Sequence, residues 1–362
     1  MIAAGGTGGH FFPAEALASE LLARGRRIAL MTDARSGGLH SAVFAGHENY
    51  VIRGAGIAGR GVARAVRAAV ALAGGTVQAR TILARLGTAA VVGFGGYPCV
   101  APVLATRFMR RRPGVILHEQ NAVLGRANRF LAGRADALAL SFAETARVPE
   151  TAATVVTGNP VRPAIAALAG TAYRPPTDMV NLLVLGGSLG ARVFSDVVPP
   201  AHGTLPEHFR ARLAVVQQCR PEDLDRVRAA YAKAGIAAEL AAFFPDVADR
   251  LTRAHLVIAR AGASTVAELA VAGRPSILVP LPGAIDDHQS ANARALSDAR
   301  GASVIAQSDF TPAALAERLT LLLDTPDMLA HAAQAARRIA RPDATARLAD
   351  LVEDLMRREA RP

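Results

Sequence analysis

Short runs of hydrophobic residues alternate along the chain with longer segments in which hydrophobic residues recur every three to four positions. The short runs predict β-strands, and the longer segments predict helices with one apolar face. The predicted strands cover residues 27–32, 89–94, 114–118, 182–185, 213–217, 256–259 and 276–279. The predicted helices include residues 14–24, 222–234 and 264–272. This alternation is typical of parallel sheets flanked by helices, so the sequence predicts an α/β fold.

A glycine-rich turn occurs once in each half of the chain. The segment AAGGTGGH at residues 3–10 and the segment VLGGSLGA at residues 184–191 each end a predicted strand and open a helix. This repetition predicts two doubly wound domains that face each other across a cleft, at residues 1–160 and 161–340. Glycine and two prolines predict a hinge at residues 157–163. A last helix within residues 341–362 is expected to pack back on the N-terminal domain.

The composition excludes several classes of protein. Hydrophobic residues make up 51% of the chain and charged residues 20%, which rules out a disordered chain. Two cysteines, Cys99 and Cys219, cannot form a disulfide framework or a thiolate zinc site. The uncharged segment 86–106 is long enough to span a bilayer, but its glycines and prolines favour a strand, a turn and the start of a helix.

The basic charge is concentrated in the first half of the chain. Residues 1–162 contain 19 basic and 8 acidic residues, so they carry the whole net charge of +11. Between Asn49 and His118 there are ten arginines and no acidic residue. Such a segment attracts an anionic partner, either a nucleic acid or a phospholipid surface. A general bias toward arginine would not leave residues 163–362 neutral.

The turn at residues 5–10 is the sharpest candidate site. Its glycines permit the close approach of a phosphate or a sugar, and the following helix N-terminus offers unpaired N–H groups. A nicotinamide site would need a third glycine where Phe11 stands, but Asp33 mimics the ribose-binding acid of that site, so an NAD-dependent dehydrogenase is an alternative. His10 lies at the mouth of the turn, just before the helix. It either caps the helix or acts as a neutral general base near pH 7.

Polar residues follow two further predicted strands. Tyr97 lies in the segment GFGGYP at residues 93–98, and Glu119 and Asn121 lie in the segment HEQN at residues 118–121. The carboxyl ends of parallel strands meet at one edge of a sheet, so we expect these side chains to line the same crevice as His10. Turn formation alone would explain either segment taken by itself.

Ser264, Thr265 and Glu268 open a predicted helix in the second half. The hydroxyl groups can donate to a phosphate beside the helix N–H groups, and Glu268 can accept from ribose hydroxyls. A capping box is the alternative, since Ser264 and Glu268 are nearly at capping spacing. Asp223 and Asp225 are interpreted as helix caps rather than metal ligands, so no metal site is expected.

The ordered series of motifs is similar to that of glycosyltransferase family 28. These motifs are AGGTGGH at 4–10, GGY at 95–97, HEQN at 118–121, GNPVR at 158–162, GGSLGA at 186–191, RAGASTVAE at 260–268 and HQSANA at 288–293. They span nearly the whole chain, and an ordered series is far more specific than any one motif.

The resemblance implies a GT-B fold of two Rossmann-like domains and an inverting transfer without a cofactor. N-acetylglucosamine would pass from UDP-N-acetylglucosamine to the C4 hydroxyl of lipid I, which is undecaprenyl-pyrophosphoryl-N-acetylmuramoyl-pentapeptide, to form lipid II in peptidoglycan synthesis. A related GT-B glycolipid synthase with another lipid acceptor is the nearest alternative.

The resemblance also implies roles for individual residues. His10 would be the base for the acceptor hydroxyl, with Tyr97 and Glu119 as further catalytic residues. The residues implied to bind UDP-N-acetylglucosamine are Thr7, Gly8, Gly9, Asn121, Arg162, Ser188, Phe244, Ala263, Ser264, Thr265, Glu268 and Gln289.

A lipid acceptor would explain why the first half of the chain contains an arginine-rich segment. Residues 61–73 carry apolar side chains spaced for one helical face with arginines near it, and a second apolar pair lies among the arginines of residues 107–112. We expect these segments to dock a peripheral protein on the anionic cytoplasmic face of the bacterial cell membrane. The expected docking residues are Arg64, Val66, Arg67, Val70, Phe108, Met109, Arg110 and Arg111. A partly buried helix with a solvated basic face is the alternative.

Two further expectations concern partners. Nucleic acid is not an expected partner, because aromatic residues for stacking are missing between the arginines. Cell-wall synthesis and division proteins are partners that the resemblance allows.

Overall fold

The computed structural model describes residues 1–5, 8–33, 41–52, 62–187 and 190–359, and the side chains of residues 62–65 and 359 lie outside this description. The chain divides into two compact units. Unit 1 comprises Met1–Arg162 and Asp343–Pro362, and unit 2 comprises Pro163–Pro342.

Unit 1 is built on a parallel sheet. Its strands are β1 (Ile2–Ala3), β2 (Ala29–Thr32), β3 (Glu48–Val51), β4 (Ala90–Gly93), β5 (Gly114–Glu119), β6 (Ala137–Leu140) and β7 (Thr154–Val156). Among the described residues they form one sheet in the order β3-β2-β1-β4-β5-β6-β7. Strand β1 is central, with Ile2 opposite Leu30 on one side and Val92 on the other. The strand order reverses at β1, and open α/β sheets bind their ligands beyond the carboxyl ends of the strands at such a point.

Helices cover both faces of this sheet. They include α1 (Gly8–Ala23), α2 (Val62–Arg85), α3 (Val100–Thr106) and α4 (Arg126–Leu131). Successive strand residues point to opposite faces, so Ile2 joins one core with Leu17 of α1, whereas Ala3 joins the other core with Leu83 of α2. Both faces are therefore apolar, as expected for a parallel sheet covered by helices.

Unit 2 repeats this architecture. Its strands are β8 (Val180–Leu185), β9 (Leu213–Gln218), β10 (Ala237–Ala241), β11 (Leu256–Ala259), β12 (Ser276–Leu278) and β13 (Ala302–Val304). In the described part of unit 2 they form a parallel sheet in the order β10-β9-β8-β11-β12-β13. The strand order reverses at β8, so the ligand crevice of this unit is expected beyond β8 and β11.

Five helices of unit 2, α6, α7, α8, α12 and α13, contribute to an apolar cluster of buried residues that includes Phe194, Tyr231 and Leu319. The helices of unit 2 are α5 (Pro163–Ala166), α6 (Arg192–Gly203), α7 (Glu207–Arg210), α8 (Leu224–Ala234), α9 (Val247–Arg253), α10 (Ala263–Ala272), α11 (His288–Asp298), α12 (Pro312–Asp324) and α13 (Pro326–Arg338).

The last helix, α14 (Ala344–Glu359), belongs to unit 1 and packs against α1. Leu348 and Val352 are buried in the same core as Leu17 of α1. At the edge of this contact the guanidinium of Arg24 lies 2.6 Å from the carboxylate of Asp350. Apolar packing and this ion pair together hold α14 on the N-terminal part of unit 1.

The structure confirms the predicted α/β fold with doubly wound parallel sheets and corrects several element bounds. The first helix begins at Gly8 rather than at residue 14, and α2 continues to Arg85 beyond the predicted apolar segment. Five strands were not predicted, namely β3, β6, β7, β10 and β13. Strands β3, β7, β10 and β13 lie at or next to sheet edges and are partly exposed, so they lack the continuous apolar run of a buried strand.

Candidate functional site

His10 lies in the first turn of α1, beyond the carboxyl end of the central strand β1. The sequence placed it ahead of the helix, and the earlier helix start corrects this. Its ring lies against the turn that follows β4, because a Cβ atom added to Gly95 would be 3.3 Å from Cδ2 of His10. Gly95 and Gly96 have φ values of +79° and +67°, which a side chain disfavours. The two glycines thus let the backbone approach the imidazole closely.

The structure describes some residues of the glycine-rich turn at 5–10 and of the turn after β4, but not all of them. Gly8 is buried and Gly9 is exposed at the start of α1, whereas Thr7 lies outside the described residues. Tyr97 is half-buried and begins a 3₁₀ turn, Tyr97–Cys99, that leads into α3. The glycine-rich segment, His10 and Tyr97 thus belong to elements beyond the carboxyl ends of β1 and β4.

Glu119 is buried at the end of β5 and organises the loop that follows. Its Oε1 accepts hydrogen bonds from the backbone N and from Nδ2 of Asn121, at 3.0 and 3.1 Å. Its Oε2 accepts from the backbone N of Gly125 at 2.9 Å and from Nδ2 of Asn128 at 2.8 Å. A carboxylate with two donors on each oxygen holds the loop in place. This geometry fixes both the backbone and the side chain of Asn121 beside Glu119.

Asn128 is a member of this site that the sequence analysis missed. It is buried, and its Nδ2 also donates to the backbone oxygen of His118 at 3.1 Å. A Cβ atom on Gly95 would lie 3.4 Å from the same Nδ2, so Asn128 joins the loop after β5 to the turn beside His10. It sits inside α4, where neither strand-end position nor motif spacing singles it out.

His118 is neutral and structural rather than exposed to a ligand. Burial lowers the pKa of His118 to about 4, and the electrostatic effect of the nearby His10 contributes a smaller part of this shift. Its Nε2 lies 3.1 Å from the backbone oxygen of Gly158, and a carbonyl only accepts, so Nε2 carries the proton. His118 thereby fastens the end of β5 to the segment that leads to Arg162.

Arg162 ends the first stretch of unit 1. Its guanidinium lies 5.8 Å from the ring centre of Phe12, a residue of α1 that is partly exposed. This contact is a cation–π interaction. It brings a cation next to the helix that carries His10.

In unit 2, the glycine-rich turn after β8 is held by Gln218, another residue that the sequence analysis missed. The Oε1 atom of Gln218 accepts from the backbone N of Gly186 at 3.1 Å, and its Nε2 donates to the backbone oxygen of Gly187 at 3.0 Å. Gly187 and Gly190 have positive φ values, and Ser188 between them lies outside the described residues. Gln218 ends β9, so its position as a polar residue after an apolar strand was a signal that could have identified it.

Helix α10 opens beyond the carboxyl end of β11, behind a residue that provides no side-chain cap. Its N-cap residue is Gly262, and Ala263, Ser264 and Thr265 form its first turn. The Oγ atom of Ser264 is buried and has no hydrogen-bond partner in the described part of the chain. In the described structure Ser264 therefore makes no hydrogen bond of the alternative capping box, and its buried hydroxyl group lies in the first turn of the helix. Glu268 follows one turn later and is half-buried.

Two arginines of unit 2 are engaged by the protein itself. Arg260 is buried, and its Nη1 donates to the backbone oxygens of Val279 and Pro280 at 3.1 and 3.2 Å. Arg250 lies 4.0 Å from the ring centre of Phe244, which is itself buried. One face of Phe244 is thus covered by a guanidinium, while its neighbour Phe243 is exposed.

Gln289 lies in the first turn of α11, where its Oε1 accepts from the backbone N of Leu281 at 2.9 Å. The preceding residues Asp286 and Asp287 both have positive φ values, of 56° and 52°. Consecutive non-glycine residues in this region are strained, and such strain clusters at ligand sites.

Asp223 does not cap α8, which corrects the interpretation of this segment as a pair of caps. Its carboxylate instead lies 2.8 Å from Arg220 and 2.8 Å from Arg226. The hydrogen bonds from Arg220 and Arg226 lower the pKa of Asp223 to about 2. Asp225 pairs with Arg228 at 2.6 Å.

The expected docking residues form an exposed surface on α2 and on the segment after α3. Val66, Val70 and Val77 recur along one face of α2 and are 57%, 67% and 64% exposed. Arg67, Arg110 and Arg111 are exposed nearby in sequence, and Phe108 is 66% exposed. Met109 departs from the expectation, because it packs partly buried against the core of unit 1. The side chain of Arg64 lies outside the description.

The exposure of the three valines shows which side of α2 is buried and which faces solvent. The side of α2 that faces the core carries Ala79, Ile82 and Leu83, whereas the valines point to solvent. Within the described residues, no helix is both long and apolar enough to cross a membrane.

Comparison with protein families identifies both halves of the chain. The model of the glycosyltransferase family 28 N-terminal domain matches residues 1–140, and that of the family 28 C-terminal domain matches residues 181–354.

Two similar proteins carry the same name, UDP-N-acetylglucosamine–N-acetylmuramyl-(pentapeptide) pyrophosphoryl-undecaprenol N-acetylglucosamine transferase. The protein of Granulibacter bethesdensis is 64% identical over 355 residues, which cover 98% of this chain and 92% of the relative. The protein of Gluconobacter oxydans is 55% identical over 359 residues, which cover 99% of this chain and 98% of the relative.

Solved structures agree with this comparison. The crystal structure of Acinetobacter baumannii MurG matches with a TM-score of 0.79 and 33% identity, over 98% of both chains. The glycosyltransferase of kitacinnamycin matches with a TM-score of 0.68 over 98% of both chains, but at 18% identity this likeness concerns the fold alone. The expected GT-B type of fold is confirmed.

Proposed function

The chain belongs to glycosyltransferase family 28, and from this membership we propose that it transfers N-acetylglucosamine from UDP-N-acetylglucosamine to lipid I. The product is lipid II, the disaccharide-bearing lipid used in peptidoglycan synthesis. The names and full-length identities of the two relatives support both the donor and the acceptor.

The observation in unit 2 that carries the proposal is the buried, unpartnered Oγ atom of Ser264 at the start of α10. A helix N-terminus attracts an anion, because its first N–H groups are unpaired and the helix dipole is positive there. A diphosphate would supply the acceptor that Ser264 lacks. Ala263 and Thr265 flank it in the same turn, and Glu268 is placed for the ribose hydroxyls.

Further residues complete the proposed donor site. The turn braced by Gln218, which includes Ser188, would contact the diphosphate from the carboxyl end of β8. Gln289 and the segment at Phe244 would contact the uridine, with Arg250 fixing the Phe244 ring from the other side. In unit 1, the donor sugar would be contacted by Thr7, Gly8, Gly9, Asn121 and Arg162.

We propose that the chemical step is a direct displacement that inverts the anomeric centre. His10 removes the proton from the C4 hydroxyl of the acceptor as that oxygen attacks the anomeric carbon. The bond between the anomeric carbon and the diphosphate oxygen breaks, and its electron pair leaves with UDP. Hydrogen bonds from Ser264 and from the N–H groups of α10 stabilise the negative charge that develops. Tyr97 would contact the acceptor near His10.

The membrane part of the proposal rests on the surface formed by the α2 valines, Phe108 and the arginines around them. An apolar stripe flanked by basic side chains suits the interface of an anionic membrane. We infer that the protein docks peripherally on the cytoplasmic leaflet, where a lipid-linked acceptor is found.

The test of this function is transfer of radiolabel from UDP-N-acetylglucosamine to a short-chain lipid I analogue, with EDTA present. We expect transfer by the wild type and by the exposed-residue control His47→Ala, and loss of transfer by His10→Ala with UDP binding retained. Transfer to diacylglycerol rather than to the lipid I analogue would instead identify a related glycolipid synthase. Full activity of His10→Ala would contradict the role of His10 as the base.

A further inference from the structure

A chain of ion pairs in unit 2 joins the segment after β9 to the helix that follows the glycine-rich turn. Its centre is the buried carboxylate of Asp223, which lies between Arg220 and Arg226. We infer that this chain holds the glycine-rich turn after β8 in the shape that receives the diphosphate of the donor, so that Asp223 and Arg220 are positioning residues for donor binding. The inference rests on the proposed function and adds to it residues that act through the turn rather than on the donor.

Arg220 is in close contact with the last glycine of this turn. A Cβ atom added to Gly190 would lie 2.7 Å from Cγ of Arg220 and 3.5 Å from its backbone N. The φ value of Gly190 is +69°, and its backbone N donates to the backbone oxygen of Gly187 at 3.0 Å. The aliphatic part of the Arg220 side chain thus lies against the backbone of Gly190, and a different place for that side chain would free the end of the turn.

The guanidinium of Arg220 is held by two carboxylates. Its Nε lies 2.8 Å from Oδ2 of Asp223, and its Nη1 lies 3.1 Å from Oε1 of Glu222. The side chain of Glu222 is 61% exposed, so this pair is weakened by water. The side chain of Asp223 is only 6% exposed, and its pair is better shielded. Asp223 is therefore the residue that fixes Arg220.

Asp223 also connects this contact to helix α6. Its Oδ1 lies 2.8 Å from Nη2 of Arg226, and the same Nη2 lies 2.7 Å from Oδ1 of Asp196. Arg226 also donates from Nη1 to the backbone oxygen of Ser195 at 3.4 Å. Ser195 and Asp196 lie near the start of α6, which begins two residues after Gly190. The chain thus holds the end of the turn and the beginning of the next helix together.

The chain supplies shape rather than charge to the turn. It contains three arginines and three acids, namely Arg192, Arg220, Arg226, Asp196, Glu222 and Asp223. The charge of Arg220 is therefore matched within the chain. The hydrogen bonds from Arg220 and then from Arg226 lower the pKa of Asp223 to about 2, so its carboxylate stays charged near neutral pH.

A glycine-rich turn needs such support from outside, because glycine loses more conformational freedom on ordering than any other residue. Gln218 holds Gly186 and Gly187 at the start of the turn, whereas Arg220 lies against Gly190 at its end. N–H groups that are already in place lower the cost of binding an anion. The segment 218–226 therefore braces both ends of the turn.

The experiment measures the Kd of UDP by calorimetry, together with KM and kcat for UDP-N-acetylglucosamine, on the full-length protein well below its melting temperature. Asp223→Asn keeps the size of the side chain and removes its charge. Arg220→Met keeps an aliphatic side chain against Gly190 and removes the guanidinium, and the double variant combines the two changes. Asp225→Asn is the matched control, because it makes the same change two residues later at a side chain that is 98% exposed.

We expect Asp223→Asn and Arg220→Met each to raise Kd and KM at least about fivefold and to change kcat less than about twofold. Asp225→Asn should behave as the wild type. Both changes break the same contact, so the double variant should bind UDP no more than about twofold more weakly than the weaker single variant.

Two results would overturn the inference. A lower melting temperature of Asp223→Asn with an unchanged Kd would mean that the ion pairs only stabilise unit 2. Fully additive losses in the double variant would mean that Arg220 contacts the diphosphate itself and is not a positioning residue.

Failure of the proposed function gives a different result. If the wild type binds UDP but transfers no sugar to the lipid I analogue, the acceptor assignment fails, and the Kd values of the variants still test the chain of ion pairs. If the wild type transfers the sugar and Asp223→Asn binds UDP equally well, the proposed function stands and the inference fails. No UDP binding by the wild type would overturn both.

Discussion

Gln218 donates a hydrogen bond from Nε2 to the backbone oxygen of Ala242 at 3.1 Å. The same amide holds Gly186 and Gly187 in the turn after β8. One side chain at the end of β9 thus joins the proposed diphosphate turn to the segment that precedes Phe244. Because both segments would contact UDP, Gln218 acts as a positioning residue for the donor.

Replacing Gln218 by Glu should weaken donor binding. A carboxylate can still accept from Gly186, but it cannot donate to the carbonyl oxygens of Gly187 and Ala242. Two lost hydrogen bonds of about 1 kcal/mol each predict a KM for UDP-N-acetylglucosamine raised about tenfold or more, with a smaller effect on kcat. Steady-state kinetics measure this, with substitution of the exposed Gln334 of α13 by Glu as the control. An unchanged KM would show that the turn keeps its shape without Gln218.

Ser264→Ala separates the phosphate interpretation from the capping interpretation. The Oγ atom has no partner in the described structure, so its removal should leave thermal stability unchanged and weaken UDP binding. Thr311→Ala is the opposite case, because Oγ1 of Thr311 caps α12 by accepting from the N of Ala314 at 3.2 Å. That change should cost about 1 kcal/mol of stability and leave UDP binding intact. Calorimetric unfolding and UDP titration of both variants check the pair, and a stability loss in Ser264→Ala would favour the cap.

Glu119→Gln tests whether Glu119 positions Asn121 or takes part in proton transfer. An amide presents an N–H₂ group to donors that surround the carboxylate, so we expect a loss of about 2 kcal/mol in the stability of unit 1 and a lower kcat. If His10 is the base as proposed, the pH dependence of kcat should keep the shape of the wild type. Glu144→Gln, an exposed change in the same unit, should behave as wild type. A pH–rate profile that loses its acid limb in Glu119→Gln would mean that Glu119 itself titrates in catalysis.

Because His202 is buried, we expect the stability of unit 2 to fall at acid pH. Burial lowers the pKa of His202 from 6.5 to about 3, and within the described residues neither ring nitrogen has a hydrogen-bond partner. Between pH 6.5 and pH 3 the unfolded chain binds a proton that the folded chain does not. Stability is therefore lost as the pH falls through this range, by up to about 1.4 kcal/mol per pH unit.

His202→Phe should remove this acid sensitivity, because an apolar ring packs beside Tyr231 without a site for the proton. The melting temperature of the variant should fall less than that of the wild type between pH 6.5 and pH 5. His202→Leu serves as a second variant if the larger ring does not fit, and the exposed His331→Gln should follow the wild type. Identical pH dependence in all four proteins would exclude His202 as the cause.

The sequence predicted the buried strands of the fold well. Strands β8, β9, β11 and β12 each contain an apolar run, and their positions follow from that pattern. Edge strands such as β3 carry exposed side chains, so hydrophobicity does not mark them. Helix α1 begins earlier than predicted because its first turn consists of glycine and histidine, which carry no helical pattern of their own.

The candidate site was predictable at its strand ends but not in its internal contacts. His10 and Ser264 stand at turns where phosphate and sugar chemistry can be inferred from residue type. The saturation of Glu119 by Asn121, Gly125 and Asn128 depends on how a loop folds back on itself, and spacing along the chain does not encode it.

Val70→Asp tests the docking surface. Val70 is 67% exposed, so the change should not alter the fold, whereas it places a charge in the apolar stripe that would enter the membrane interface. We expect binding to anionic vesicles to fall about tenfold, because burial of one valine contributes about 1.5 kcal/mol. Transfer to a vesicle-borne acceptor should fall in parallel, while transfer to a soluble short-chain acceptor stays unchanged. Val155→Asp on the edge strand β7 is the matched control and should bind vesicles as the wild type does. If Val70→Asp retains full vesicle binding, α2 is a solvated basic helix and the arginines alone attract the membrane.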